Sequence, residues 1–173
     1  MPVQRSVSII KRLSSFNPRT LQSDISLLKL NATVDFSSNI KPIQLPSLLQ
    51  ASITYTRSVL IVSGFGLNTS HQLTNTLQFT TVIGISLTEC NRYYSDRLPQ
   101  SVICTRGYPK ANQASCNGDS GGPLITKGTN PVIVGIVSFG MTKSCSSGLP
   151  EVYTHVGSYL KWISSTTGIK LRK

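Results

Sequence analysis

Apolar positions recur in short runs along most of this chain, and the runs read as strands. Val7, Ile9 and Leu13 form a first apolar stretch and Ile25 to Leu30 a second, with Asn17-Pro18-Arg19-Thr20 between them carrying turn chemistry. Pro42 and Pro46 bracket Ile43 and Leu45 in an extended linker, because proline restricts the residue before it to β or polyproline conformations. From Ser58 the texture is β: Val59-Leu-Ile-Val62, then Ser63-Gly64-Phe65-Gly66, then Leu77 to Ile85 with Thr and Val interleaved. Asn91 to Pro99 reads as a polar crossing segment that packs Tyr93 and Tyr94 beside Cys90. Pro131 to Gly140 is β-branched and bounded by breakers, the clearest strand of all. Only the end has a helical period: Val156, Tyr159, Leu160 and Ile163 fall at i, i+3, i+4 and i+7, with Trp162 at the edge of the stripe and Gly168 as the stop. Short strands separated by Gly, Asn, Ser and Pro predict an all-β antiparallel barrel or sandwich with one terminal helix docked on it.

Composition narrows the class. At 173 residues and 39% apolar content the chain is long enough for one domain with a substantial core. Its 17 Lys+Arg against 6 Asp+Glu give a formal charge of +11, which attracts acidic surfaces, glycans and polyanions. That charge is dispersed, and there is no zinc-finger spacing and no phosphate-cradling glycine loop, so specific nucleic-acid binding is disfavoured. No segment is long and apolar enough for a membrane-spanning helix, and no membrane partner is expected. Met1 to Phe16 carries Arg5, Lys11 and Arg12 where a secretory signal would be apolar. Cys90, Cys104, Cys116 and Cys145 lack the close Cys-x-x-Cys pair typical of zinc ligands, which favours two disulfides in an oxidising compartment, with no metal and no cofactor. Four cysteines allow three pairings, and spacing does not choose among them. Asn31-Ala32-Thr33 and Asn68-Thr69-Ser70 fit the glycan-acceptor pattern.

The candidate chemistry lies at Cys116-Asn-Gly-Asp-Ser-Gly-Gly-Pro123. Small residues on both sides of Ser120 allow a tight, exposed loop that presents the hydroxyl while backbone N–H groups converge beside it, as attack on a carbonyl requires. The same residue types also make ordinary surface turns. The frame around this run, with a cysteine before it and the apolar Leu124-Ile125 after it, favours the catalytic reading.

The run resembles the nucleophile motif of the chymotrypsin/trypsin-like serine proteases. Asp24-Ile-Ser-Leu-Leu-Lys-Leu30 is similar to that family's aspartate motif, Ile61-Val-Ser-Gly-Phe-Gly66 to the strand opening its second barrel, and Ile136-Val-Ser-Phe-Gly140 to its substrate-binding strand. Pro150-Glu-Val-Tyr-Thr154 and the terminal helix follow in family order. The resemblance implies two antiparallel six-stranded β-barrels: residues 1–50 the closing part of the first and a linker, 51–155 the second, 156–173 the helix and a basic tail. It implies a secreted, extracellular serine endopeptidase made as a zymogen, acting on protein or peptide substrates, open to proteinaceous inhibitors and monomeric when full-length.

By the same resemblance Ser120 is the nucleophile, Asp24 orients the base, the N–H groups of Gly118 and Ser120 form the oxyanion hole, and Asp119 receives the newly cleaved N-terminal amine. Cys90 is expected to bond Cys104, and Cys116 to bond Cys145. At the family's inter-strand cysteine positions stand Leu60 and Thr126, so packing is expected there. His71 and His155 match neither the position nor the surroundings of the family histidine, which is expected upstream of the first residue; the chain alone is then inactive. The alternative is a catalytically inactive homologue acting as a binding or regulatory module. In the specificity pocket, bordered by Ser138, Phe139 and Gly140, Ala114 occupies the place of the aspartate that holds Lys or Arg in trypsins. Glu151 occupies the place of a glycine: its carboxylate either accepts a basic or hydrogen-bonding side chain or fills the pocket, unless it is a solvated loop residue. The preference expected is chymotrypsin-like, collagenolytic or mixed, and not strictly tryptic.

Overall fold

A strand that is apolar on one face needs that face covered, and from residue 59 onward the runs satisfy one another by closing on themselves. The computed structural model describes residues 3–95, 97–140, 145 and 147–173. Its strands are β1 (Val7–Arg12), β2 (Ser26–Leu30), β3 (Val59–Gly64), β4 (Gln78–Ile85), β5 (Val102–Gly107), β6 (Pro123–Thr126), β7 (Ile133–Gly140) and β8 (Glu151–His155). Strands β3-β4-β5-β8-β7-β6 close into an antiparallel barrel, which leaves no unpaired edge in it. Leu60, Val62, Val82, Ile103, Leu124, Val134 and Tyr153 fill its interior.

Leu60 stands directly opposite Thr126 across β3 and β6. Leu60 is buried in the core and pairs in the β3–β6 ladder, so packing and backbone pairing, with no disulfide, hold the strands at this point. The two disulfides expected from the resemblance are present: Cys90–Cys104 and Cys116–Cys145.

Strands β1 and β2 make a separate antiparallel pair, with Ile10 opposite Leu28. Val7, Ile9, Ile10, Leu28 and Leu30 are exposed on it, whereas Ile25, at the entry to β2, is buried against the C-terminal helix. The linker lies along β7: Ile133 N–H donates to the Gln44 carbonyl at 3.0 Å.

The terminal stripe folds as a single 3-10 turn, Val156–Tyr159, running into α2, Leu160–Thr167 (α1 is the short helix Leu87–Cys90). Val156, Tyr159, Leu160 and Ile163 are all buried, each contributing about 1.5–3 kcal/mol of apolar burial. Gly168 ends α2 in the left-handed region at φ 76°, its N–H on the Ser164 carbonyl at 2.8 Å. The basic tail does not stay at the helix end but runs back over the linker, where the Arg172 guanidinium donates to the Leu45 carbonyl at 2.7 Å.

Three features depart from the pattern of the apolar positions. The helix α1 opens the segment expected to be a plain crossing, its cap made by Ser86, whose hydroxyl accepts the Glu89 N–H at 3.1 Å. Ser86-x-x-Glu89 is the spacing of a capping box and was the available signal. Strand β5 carries Cys104 through a run too mixed to stand out. Tyr94 packs beside Cys90 as expected, but Tyr93 is exposed, because the turn after α1 points it outward.

His155, at the end of β8, is buried with its Nδ1 3.2 Å from the Ser158 hydroxyl and its ring edge-on to Tyr55. Its Nε2 has no hydrogen-bond partner among the described residues. Burial lowers its pKa below the ordinary 6.5, so the unfolded chain takes up the proton first as pH falls. The stabilising contribution is therefore intact above pH 6.5 and is lost as pH drops from there through the depressed folded value. The melting temperature is expected to fall over that window, and His155→Gln to flatten this step; thermal unfolding across a pH series reads both.

Candidate active site

The loop before β6 makes a sharp reversal that only its glycines permit. Gly118 takes φ +99°, a region that disfavours any side chain, and Gly64 and Gly66 lie so close to the Asp119 carboxylate that a Cβ on either would overlap it. In that cradle Asp119 Oδ1 accepts the Gly66 N–H at 2.8 Å and Oδ2 accepts the Cys116 N–H at 2.8 Å. The carboxylate thus fixes both the end of β3 and the start of its own loop. Ser120 follows immediately and is exposed. The next two residues are tied down by ladders to β7 and to the loop itself, with Gly121 N–H on the Val137 carbonyl at 2.9 Å and Gly122 N–H on the Asp119 carbonyl at 2.8 Å. The N–H groups of Gly118 and Ser120 donate to no acceptor among the described residues, which leaves two backbone donors beside the Ser120 hydroxyl.

Asp24 comes to the same region from the other end of the chain. Its Oδ2 accepts the Ser138 hydroxyl at 2.7 Å, and its main-chain carbonyl accepts the Thr154 hydroxyl at 2.8 Å. Residues of β7 and β8 therefore hold the entry to β2 against the barrel across sequence separations of 114 and 130. Ser138 also borders, with Ser120, a cavity of about 140 Å³. Phe139, Gly140 and Glu151 line that cavity; Ala114 is half-buried and is not among the lining residues, its neighbour Ser115 being the one that reaches it. The disulfide between Cys116 and Cys145 closes one side.

Glu151 is anchored. Its Oε2 accepts the Ser115 N–H at 2.9 Å, the Ser115 hydroxyl at 2.7 Å and the Tyr153 hydroxyl at 3.0 Å. Burial nonetheless raises its pKa; the hydrogen bonds from Ser115 and Tyr153 pull the other way, and the Asp119 charge adds to the rise. Tyr94 donates to the Pro150 carbonyl at 2.8 Å and stands edge-on to Phe139, its hydroxyl pushed up to about 12 by burial and then by the Glu151 charge.

Neither histidine joins this assembly. His155 is occupied beneath the terminal helix, and His71 sits exposed at φ 56° in the loop between β3 and β4. Among the described residues there is no cluster of side chains fit to hold a metal ion.

A sequence profile of the family described as Trypsin matches residues 2–163. Kallikrein-7 of Homo sapiens is 36% identical over 157 residues, covering 90% of this chain and 59% of the kallikrein. Trypsin II-P29 of Gallus gallus is 36% identical over 167 residues, covering 95% and 63%. A collagenase of Hypoderma lineatum is 36% identical over 157 residues, covering 90% and 58%. The chain thus spans about six tenths of the length of these curated relatives. A solved structure described as HL collagenase superposes with a TM-score of 0.87 at 34% identity, over 95% of this chain and 70% of the other. With the closed barrel, the two disulfides and these matches together, the chain belongs to the trypsin family and carries the chymotrypsin-like serine protease fold.

Proposed function

We propose that the protein is a serine endopeptidase, secreted and monomeric, that cleaves internal bonds of protein or peptide substrates at Ser120. The observation that supports this is an exposed Ser120 lining a cavity that Ser138 also lines, with Asp24 bound to Ser138 and the Gly118 and Ser120 N–H groups free of acceptors among the described residues. Ser120 Oγ attacks the scissile carbonyl carbon while its proton passes to an imidazole, and the Gly118 and Ser120 N–H groups hold the oxygen that becomes negative. As the C–N bond breaks, the amine leaves with that proton. Water then attacks the acyl ester, yields the carboxylic acid and restores the serine. Asp24 orients the imidazole. Asp119, already cradled beside Gly64 and Gly66, is the counter-charge for a newly formed N-terminal ammonium.

The imidazole is not His71 or His155, whose surroundings are given above, so this reading requires one from other polypeptide, and the 173 residues alone are inactive. That absence also favours a second reading, a catalytically inactive homologue that binds partners, proteinaceous inhibitors among them. A serine-directed fluorophosphonate separates the two. Covalent labelling at Ser120 of the activated full-length protein is expected, and an unlabelled Ser120 there would leave only the binding module. Substrate preference follows the cavity. Ser115, which reaches the cavity, and Ala114, which does not, both lack a charge, so strict cleavage after Lys or Arg is disfavoured and a chymotrypsin- or collagenase-like preference is expected.

A further inference from the structure

Asn68-Thr69-Ser70 is a glycan-acceptor triplet with no proline behind its asparagine, and the fold sets it beside the Ser120 loop. It lies at the tip of a short hairpin between β3 and β4 whose stems meet at the Leu67–Leu73 bridge. Asn68 clamps that tip. Its N–H donates to the Gln72 carbonyl at 2.9 Å, its carbonyl accepts the His71 N–H at 2.9 Å, and its Oδ1 accepts the Ser70 and Gln72 N–H groups at 2.9 and 3.1 Å. The polar atom left over is Nδ2, which donates to no acceptor among the described residues. Ser70 is exposed. An N-glycosyl amide keeps its oxygen as an acceptor and gives up one N–H, so a sugar on Nδ2 leaves every bond of this turn in place. The hairpin also leans on the Ser120 loop. Leu67 N–H donates at 2.9 Å to the carbonyl of Asn117, a residue that lines the cavity with Ser120, and Leu73 Cδ2 lies 3.2 Å from the point where a Cβ on Gly118 would stand. Asn68 therefore follows directly on a residue bonded to the cavity wall. The other acceptor triplet is placed differently: Asn31 Oδ1 accepts the Ser6 N–H at 3.1 Å at the end of the β1–β2 pair, no residue of which lines the cavity.

We propose that Asn68 is an N-glycosylation site and that its glycan overhangs the approach to Ser120, admitting extended peptides and small reagents while slowing folded proteins. The inference rests on the secreted serine-peptidase reading, because the sugar donor, a lipid-diphosphate oligosaccharide, belongs to the secretory route. In the transfer, Asn68 Nδ2 bonds to the anomeric carbon of an N-acetylglucosamine as that carbon's bond to the diphosphate oxygen breaks. The lipid diphosphate leaves, one amide proton passes to a base of the transferase, and nothing is oxidised or reduced. What results is a bulky, solvated group rooted one residue from the Leu67–Asn117 contact. A peptide threading the cavity needs a narrow path. A folded protein must bring a whole surface patch down over the rim, and an orientational constraint of that kind is read in the association rate. Ser70→Ala separates the glycan from the turn: it removes the hydroxyl that completes the acceptor triplet and leaves Asn68 and the Ser70 main-chain N–H in place.

The test uses the activated full-length protein secreted from eukaryotic cells. Enzymatic release of N-glycans in heavy-oxygen water, which converts a glycosylated asparagine to a labelled aspartate, is expected to mark position 68 in the mass spectrum. Size discrimination is the ratio of Ser120 labelling rates by a small fluorophosphonate and by the same reactive group carried on streptavidin. Ser70→Ala is expected to raise the carrier-bound rate about threefold or more while the small-probe rate changes by less than about twofold. Trimming the glycan from the unsubstituted protein reproduces that change without a substitution, and Thr33→Ala, which removes the other acceptor, leaves the ratio as it was. An unmarked position 68 overturns the proposal, as does a ratio that ignores glycan removal or responds equally to Thr33→Ala. Silence of the small probe on both the glycosylated and the trimmed protein defeats the hydrolytic reading and the shield with it, while the glycan at Asn68 stands or falls by mass alone.

Discussion

Replacing Ser120 by alanine in the activated full-length protein is expected to lower kcat/KM by about 10⁶-fold with the fold and peptide binding retained, the size of loss that serine triads show when the nucleophile is removed. The substitution deletes one oxygen from an exposed position, and neither the Gly121–Val137 nor the Gly122–Asp119 backbone bond depends on it. Stability should therefore stay within about 0.5 kcal/mol. Asp24→Asn is the informative companion. Asp24 Oδ2 accepts from Ser138, and an amide can keep that contact through its oxygen, so the loop entering β2 stays docked through Thr154. What the amide cannot do is accept the hydrogen bond of an imidazole N–H with a charged oxygen on its other side and stabilise the cation that forms, and a loss of about 10⁴-fold in kcat is expected from triad behaviour in general. Steady-state kinetics alongside thermal unfolding checks both. Normal turnover in Ser120→Ala would place the reaction elsewhere.

Removing the Cys116–Cys145 disulfide is the second large effect. It closes 29 residues, and loop entropy assigns it roughly 3 to 4 kcal/mol, against about 3 kcal/mol for Cys90–Cys104, which closes 14. For a domain of this size, 1 kcal/mol moves the melting temperature by about 2–4 °C, so a Cys116→Ala, Cys145→Ala double variant should melt roughly 10 °C lower. The two disulfides differ in what else they hold. Cys90 and Cys104 are buried in a cluster with Ile85, Leu98 and Val152 and do not themselves line the cavity, whereas Cys116 and Cys145 both line it. Loss of the first pair is expected to cost stability only. Loss of the second frees the segment whose Cys116 N–H seats Asp119, and is expected to weaken pocket ligands as well. Calorimetry with ligand titration on both double variants distinguishes them. Equal affinities in the two would show that Asp119 alone holds the loop.

The reach of the sequence differs from element to element for reasons visible in single residues. The terminal stripe was legible because Val156, Tyr159, Leu160 and Ile163 bury on one face, and the period of burial is the period of the helix. The loop before β6 was legible because its glycines have a steric duty: Gly118 and Gly121 both take positive φ, while Gly64 and Gly66 at the end of β3 make room for Asp119. The helix α1 was overlooked because one turn is too short for a period, although its cap is written in Ser86 and Glu89. Strand β5 was overlooked because Ile103, Cys104 and Thr105 are buried one after another, so Val102 to Gly107 shows no alternation.

Alternation, breakers and one glycine-rich loop were thus enough, within this chain alone, to determine an all-β fold with a docked helix and to single out Ser120 as the candidate nucleophile. Local chemistry repeats along the polymer and can be read there. Tertiary structure alone decided that Asp24 meets Ser138 from 114 residues away, that Ser115 in place of Ala114 reaches the cavity, and that Ser115 anchors Glu151. Those are pairings across barrel strands, set by register and closure, and no single stretch of sequence contains both partners.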